Sequence, residues 1–142
     1  MHFDNRIGKR RLLDLKNMDA NDAENYYLQV SDTKKDEISE LKKRIKEARN
    51  PKSCISILAI KTKEGKVVGK MEIFDMKSSA YLTINIPNEN WSFKYGEEAI
   101  DQFVKICKKQ QYFKIIEIEK SNPIVERYVA SHEITDYQIR IA

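Results

Sequence analysis

Apolar residues recur with helical spacing in the first third of the chain. Intervals of three and four residues predict two amphipathic helices, with apolar positions Ala23, Tyr26, Tyr27 and Val30 in the first and Ile38, Leu41, Ile45 and Ala48 in the second. Asp19 with Asp22, and Thr33 with Asp36, stand at capping-box spacing ahead of these stripes. A strand at residues 9–16 is predicted to precede both helices.

The middle of the chain changes to strand patterns. The continuous apolar run at 53–62 is typical of a strand buried on both faces. A turn at 63–66 should return the chain into an antiparallel partner at 67–76. The next segment, 78–87, alternates apolar and polar residues, which predicts a strand with one buried face.

The last third alternates helix and strand. An apolar stripe that includes Ala99 and Cys107 predicts one helix, and strands are predicted at 112–120 and 136–142. Between these strands, Asn122 and Pro123 are typical of a helix start, because asparagine caps the free amides and proline has no N–H to leave unpaired.

The complete order predicts a single α/β domain over residues 1–142, with a mixed central sheet and the sequence of elements β-α-α-β-β-β-α-β-α-β. Its strand–helix–strand unit implies that residues 80–86 and 114–119 are parallel neighbours joined by a right-handed crossover. We expect them to separate at their carboxyl ends, where open α/β sheets bind ligands.

Composition excludes several classes of protein. The chain has 142 residues, of which 34% are charged and 41% hydrophobic, too apolar for a disordered chain and too charged for a membrane protein. No apolar run reaches bilayer length and no secretion signal is present, so we expect a cytoplasmic location with no membrane partner. Cys54 and Cys107 are predicted to be buried thiols, and two histidines, His2 and His132, make a metal site or a serine-type triad unexpected.

The positive charge does not indicate a nucleic-acid partner. The formal net charge is +4, but the lysines are interleaved with acidic residues, a pattern typical of solvated helix faces. A modest positive field suits an anionic cofactor equally well.

The stretch NENWSFKYGEEAIDQF, residues 88–103, leads from a predicted loop into a helix. Helix starts carry unpaired N–H groups and partial positive charge, which makes such a junction a natural seat for phosphate. An ordinary capped helix is the alternative interpretation.

Three segments, in this order, resemble the GCN5-related N-acetyltransferases, in particular the branch that acetylates protein N-termini and small amines. They are RLLDLKNMDANDAENYYLQVSD, NENWSFKYGEEAI and EKSNPIVERYVASHEI. The resemblance implies that family's fold and an acetyl-coenzyme A-dependent N-acetyltransferase. Its acceptor would be a primary amine of a small molecule or a protein N-terminus.

The resemblance also implies where the cofactor binds. Amides of the loop at 92–97 would wrap the pyrophosphate, and the end of the preceding strand would pair with the pantetheine arm. Asn122 would lie near the thiol and Tyr128 would protonate the departing thiolate. The implied cofactor-binding residues are Ile84, Asn85, Ile86, Ser92, Phe93, Lys94, Tyr95, Gly96, Glu97 and Asn122, and the implied catalytic residues are Tyr128 and Asn122.

The chain also departs from the family's pattern. Lys94 replaces the first glycine of the cofactor loop, and Tyr81 stands where this branch often has a glutamate base. Tyr128 falls one residue short of the usual tyrosine, where Val129 stands. The alternative is therefore a protein of this fold that has lost catalysis and acts as a coenzyme A-binding or protein-interaction module.

The predicted last strand leaves an unpaired sheet edge. Exposed edges are commonly covered by a second chain, so a homodimer that buries residues 137–142 or the neighbouring edge is expected.

Overall fold

The computed structural model describes residues 13–28 and 35–141. The predicted order of elements is confirmed within these ranges. The elements are β1 (Leu13–Asn17), α1 (Ala20–Tyr27), α2 (Lys35–Ala48), β2 (Ile55–Thr62), β3 (Val67–Met76), β4 (Ser79–Asn85), α3 (Glu89–Gln110), β5 (Ile115–Ile118), α4 (Pro123–Ser131) and β6 (Gln138–Arg140). The start of the first predicted strand, Val30 and the Thr33 cap lie outside the described residues.

The strands form one six-stranded sheet in the order β1-β2-β3-β4-β5-β6. All neighbours are antiparallel except β4 and β5, which confirms the predicted parallel pair. The parallel pairing runs from Ser79–Ile115 to Leu82–Ile118. Beyond that point β4 continues to Asn85, paired with β3 alone. One end of the sheet therefore has a strand edge that β5 does not cover.

Helices cover both faces of the sheet. Side chains of α3 and α4 pack with one sheet face in the larger core, and side chains of α1 and α2 pack with β2 and β3 in a smaller one. Phe103 and Ile100 of α3 are fully buried in the larger core, and Tyr26 of α1 is among the largest side chains of the smaller core. None of the described helices is long and apolar enough to cross a membrane.

Local capping explains where two of the helices begin. At α1 the predicted capping box is present: the Asp22 amide donates to the Asp19 carboxylate at 2.8 Å, and the Asp19 amide donates to that of Asp22 at 3.0 Å. At α4 the Asn122 side chain accepts from the Ile124 amide at 3.0 Å, with Pro123 in the first turn, as predicted.

The two cysteines differ in environment. Cys107 is buried on α3, and burial raises the pKa of its thiol to about 12. Cys54 is exposed, so the prediction of a buried thiol was wrong there. It precedes β2, and the buried positions of that strand begin only at Ser56.

Candidate functional site

The start of α3 differs from the sequence prediction. Asn88 is the N-cap: its side chain accepts from the Trp91 amide at 3.1 Å, and its carbonyl accepts from the Ser92 amide at 2.8 Å. The segment 92–97 is therefore helical, and the predicted loop was wrong. The capped-helix alternative is the one observed.

The sequence contains the physical reason for this early start. Asn88 is among the strongest N-cap residues, and Glu89 in the first turn interacts favourably with the helix dipole. Ser92 and Lys94 are better helix formers than glycine, so nothing interrupts the turn. Because amides inside a helix donate to carbonyls four residues earlier, those of residues 92–97 are not free to wrap a pyrophosphate.

The uncovered end of β4 meets the start of α4. The Asn122 side-chain amide donates to the Ile84 carbonyl at 2.8 Å and to the Glu119 carboxylate at 3.0 Å. Two residues predicted from the family resemblance are thus in direct contact. The Ile84 and Ile86 side chains are buried in the larger core, whereas Asn85 is exposed on the other sheet face.

Arg127 of α4 joins the two helices at this end. One terminal nitrogen, Nη2, donates to the Ser92 carbonyl at 3.0 Å and lies 3.1 Å from the Ser92 hydroxyl. The guanidinium carbon lies 4.2 Å from the centre of the Phe93 ring. Sequence analysis missed Arg127 because its partners are more than thirty positions away, as the separation of 35 from Ser92 shows. No local pattern signals such a contact.

Further contacts hold α4 against α3. A Cβ at Gly96 would stand 2.7 Å from Cγ2 of Ile124, so the two helices approach closely there. Glu97 accepts a hydrogen bond from the Ser131 hydroxyl at 2.7 Å. Gly96 and Glu97, both predicted cofactor residues, therefore make helix–helix contacts in this structure.

Lys94 and Tyr95 lie together near the surface. The Lys94 ammonium is 5.2 Å from the centre of the Tyr95 ring. Lys94 is exposed, whereas Tyr95 packs against the larger core. The lysine side chain is consequently available to an anion.

Tyr128 is a buried residue of α4. Its ring stacks on His132 with centres 3.9 Å apart, and its exposed fraction is 3%. Burial, with smaller effects from Asp101 and Glu97, raises the pKa of its phenol to about 12. The phenol is therefore protonated at neutral pH, as a proton donor must be. Asp101 and Glu97, whose charges contribute to the raised pKa, both lie on α3.

The sheet face opposite α3 and α4 carries Tyr81. Burial, followed by the charges of Glu119 and Glu117, raises the pKa of the Tyr81 phenol. Tyr81 is thus neutral at physiological pH and cannot replace a carboxylate as a general base. A cavity of about 400 Å³ adjoins it, lined by Tyr81, Glu117, Ile118, Lys120, Asp136, Tyr137 and Gln138.

A second cavity lies beside the start of α3, at the end of the sheet where β4 is uncovered. Its volume is about 530 Å³, and it is lined by Asn25, Leu28, Glu64, Gly65, Lys66, Val67, Asn88 and Trp91. The Lys66 ammonium sits 4.4 Å from the centre of the Trp91 ring. Within residues 13–28 and 35–141, no group of three or more His, Cys, Asp or Glu side chains is arranged to hold a metal ion.

No family model matches the sequence, and no curated protein does. Solved structures do match in fold. One, described as a ribosomal-protein-serine acetyltransferase from Vibrio cholerae, has a TM-score of 0.66 at 17% identity, over 86% of this chain and 79% of that one. The spermidine N-acetyltransferase of Vibrio cholerae, in complex with coenzyme A and spermine, has a TM-score of 0.59 at 15% identity, over 87% and 78%.

The microcin C7 self-immunity acetyltransferase MccE, in complex with acetyl-coenzyme A and AMP, has a TM-score of 0.67 at 18% identity, over 85% of this chain and 77% of that one. All three comparisons extend over most of both chains. Together with the order of strands and helices and the parallel β4–β5 pair, they give this chain the fold of the GCN5-related N-acetyltransferase superfamily.

Proposed function

We propose that this protein is an acetyl-coenzyme A-dependent N-acetyltransferase whose acceptor is a primary amine of a small molecule or of a protein N-terminus. The fold supports acetyl transfer, since its structural neighbours are acetyltransferases, two of them solved with coenzyme A or acetyl-coenzyme A. The observation that carries the proposal is the uncovered edge of β4 beside Asn122.

This edge fits an extended arm that contains amide groups. Pairing with β5 ends at Leu82, so the backbone from Thr83 to Asn85 has a strand partner on one side only. The Asn122 side-chain amide donates to the Ile84 carbonyl, which supports this carbonyl as an acceptor for an amide donor of the ligand. A pantetheine arm could add to this edge in the way that a peptide adds to an open sheet.

Acetyl-coenzyme A would supply a thioester-activated acetyl group at this edge. Asn122 and the β4 backbone would orient it, and the neutral phenol of Tyr128 remains the predicted proton donor for the thiolate. On the opposite sheet face, the charges of Glu117 and Glu119 act on Tyr81, and these two carboxylates would attract a cationic amine.

A second candidate function is binding without catalysis. The helical segment 92–97 favours it, because that segment has lost the free amides that a pyrophosphate loop needs. The close contact of Gly96 with Ile124 favours it too, since the groove between α3 and α4 is narrow there. Such a protein would hold coenzyme A or a partner chain and release no acetylated product.

Thermal shift and product analysis together separate these candidates. Acetyl-coenzyme A at a hundredfold excess over its dissociation constant should stabilise the fold by about 2.7 kcal/mol. Incubation with a panel of polyamines and peptide N-termini should then yield acetylated amine, detected by mass spectrometry. A shift without any acetylated product would favour the binding module, and the absence of both would refute the acetyltransferase.

Asn122→Asp tests directly whether Asn122 at the uncovered edge of β4 takes part in acetyl transfer. An aspartate retains the cap oxygen for the Ile124 amide but loses the donor to Ile84 and adds a charge beside Glu119. We expect acetyl transfer to fall at least about tenfold, because the amide donor that orients the cofactor is lost, which costs roughly 1–3 kcal/mol, and the added charge repels an anionic cofactor. Asn50→Asp makes the same change at an exposed turn and should leave acetyl transfer unchanged. Equal activity of the two variants would contradict the role of Asn122.

A further inference from the structure

Arg127 is a half-buried cation with no carboxylate partner. Among the described residues no carboxylate forms an ion pair with it, whereas some other partly buried charges are paired, as Asp22 is with Lys61 at 2.7 Å. A charge withdrawn from water without a counterion is unfavourable. The position therefore suits an anion that binds from outside the chain.

The guanidinium also has an unused donor. Its Nε is buried, and no described residue accepts a hydrogen bond from it. Nη2 is committed to Ser92, and Phe93 covers one face of the group. Planar guanidinium donors held in a fixed orientation are well suited to phosphate oxygens.

The surroundings add positive potential. Ser92 belongs to the first turns of α3, so Arg127 stands near the positive end of that helix dipole. Lys94, exposed two positions further along, brings a second cation to the same turns. The backbone amides of residues 92–97 are hydrogen-bonded within the helix and are not available to an anion.

We propose that Arg127 binds the pyrophosphate of the cofactor through its side chain, in place of the missing loop amides. This inference rests on the proposed function, because it concerns the same ligand. In the free protein Ser92 holds the guanidinium in position. When the nucleotide diphosphate binds, its oxygens accept hydrogen bonds from Arg127, and Lys94 adds charge.

Isothermal titration calorimetry with ADP and with coenzyme A tests this role without a catalytic readout. Arg127→Gln should weaken the affinity for both at least about tenfold, since hydrogen bonds from a charged guanidinium to phosphate oxygens are stronger than those of a neutral amide. Arg127→Lys should fall between wild type and Arg127→Gln, because the charge stays but the planar donors are lost. Arg49→Gln removes the same charge from an exposed position and should bind like wild type.

Ser131→Ala separates a binding role from a structural one. If Arg127 only held α4 to α3, Ser131→Ala, which removes another hydrogen bond between these two helices, would weaken binding as Arg127→Gln does. If Arg127 binds phosphate, Ser131→Ala should bind ADP as well as wild type. Circular dichroism of each variant checks that the fold is retained.

The outcomes also distinguish this inference from the proposed function. Unchanged affinity of Arg127→Gln for ADP and coenzyme A would overturn the role of Arg127, even if the wild type acetylates amines. Loss of ADP binding in Arg127→Gln, with no acetylation by the wild type, would support the phosphate site and refute the acetyltransferase. No binding of either probe to the wild type at millimolar concentration would overturn the phosphate site.

Discussion

Asn122 uses the two ends of its side chain for different purposes. The oxygen caps α4 through the Ile124 amide, and the nitrogen donates to Ile84 and to Glu119. The cap could be predicted because it depends on neighbouring residues and on the proline that follows. The bond to Ile84 spans 38 positions, so only the resemblance to a family, and no local pattern, placed the two residues at one site.

Cys107 should make the protein sensitive to alkaline pH. Its folded pKa is about 12, against an ordinary value of 9.0, so the unfolded chain releases this proton first. The contribution of the protonated Cys107 thiol to stability is complete below the pKa that it has in the unfolded chain. It is lost as pH rises through the pKa that it has in the folded protein. Unfolding free energy should therefore fall by about 1.4 kcal/mol per pH unit for this group within that window.

Urea unfolding of two cysteine variants checks this prediction. Between about pH 9 and about pH 11, Cys107→Ala should lose stability less steeply than the wild type. Cys54→Ala, which changes an exposed cysteine, should follow the wild type. Identical slopes for all three proteins would show that the Cys107 thiol does not titrate abnormally.

At the scale of elements, the contact between α3 and α4 depends on the absence of a side chain at Gly96. A Cβ there would meet Cγ2 of Ile124 at 2.7 Å, and a branched side chain cannot move that atom without moving the helix. Gly96→Ala should cost about 1–3 kcal/mol of unfolding free energy, as overpacking does. Chemical denaturation followed by circular dichroism measures it.

A double-mutant cycle identifies the cause. Ile124→Ala removes the clashing atoms, so Gly96→Ala should cost less in that background than alone. Gly65→Ala is the matched control: Gly65 has φ +87° and no heavy atom within 4 Å of an added Cβ, so its cost of about 1 kcal/mol comes from the backbone alone. The cost of Gly65→Ala should be the same with and without Ile124→Ala. If the cost of Gly96→Ala were also the same in both backgrounds, the clash with Ile124 would be excluded.

The boundary of α3 is the element that sequence analysis predicted least well. The apolar stripe from Ala99 to Cys107 correctly predicted a helix, since its periodicity is local. Its start at Glu89 was not predicted. The family resemblance favoured a loop at 92–97 over the earlier helix start that Asn88 caps. The absence of the family glycine at Lys94 was the available signal for the earlier start.

For the whole molecule, the order of strands and helices along the chain followed from the hydrophobic patterns, and the parallel pair followed from the crossover between β4 and β5. Packing between helices could not be predicted in this way. The approach of Gly96 to Ile124 and the contact of Arg127 with Ser92 depend on how two helices meet across one sheet face. Hydrophobic patterns fix which face of a helix is buried, but not its neighbour.

The sheet edge bears on assembly. β6 is hydrogen-bonded to β5 on one side, and its described residues, Gln138–Arg140, have no strand on the other. Because such edges are commonly covered, we expect a homodimer that buries β6 or the neighbouring edge. Light scattering should give twice the 16.7 kDa chain mass. The monomer mass at high concentration would contradict this prediction, as would β6 amides whose hydrogen exchange is insensitive to dilution.

The hydrogen bond between Asn122 and Ile84 has a consequence for the heat of binding. Because the carbonyl already has a donor, a ligand amide that takes this position exchanges one hydrogen bond for another and gains little enthalpy. The same holds for Nη2 of Arg127, which is already bonded to Ser92. The heat released on cofactor binding should therefore come mainly from a donor that is unpaired in the free protein, Nε of Arg127, and not from these two exchanged hydrogen bonds.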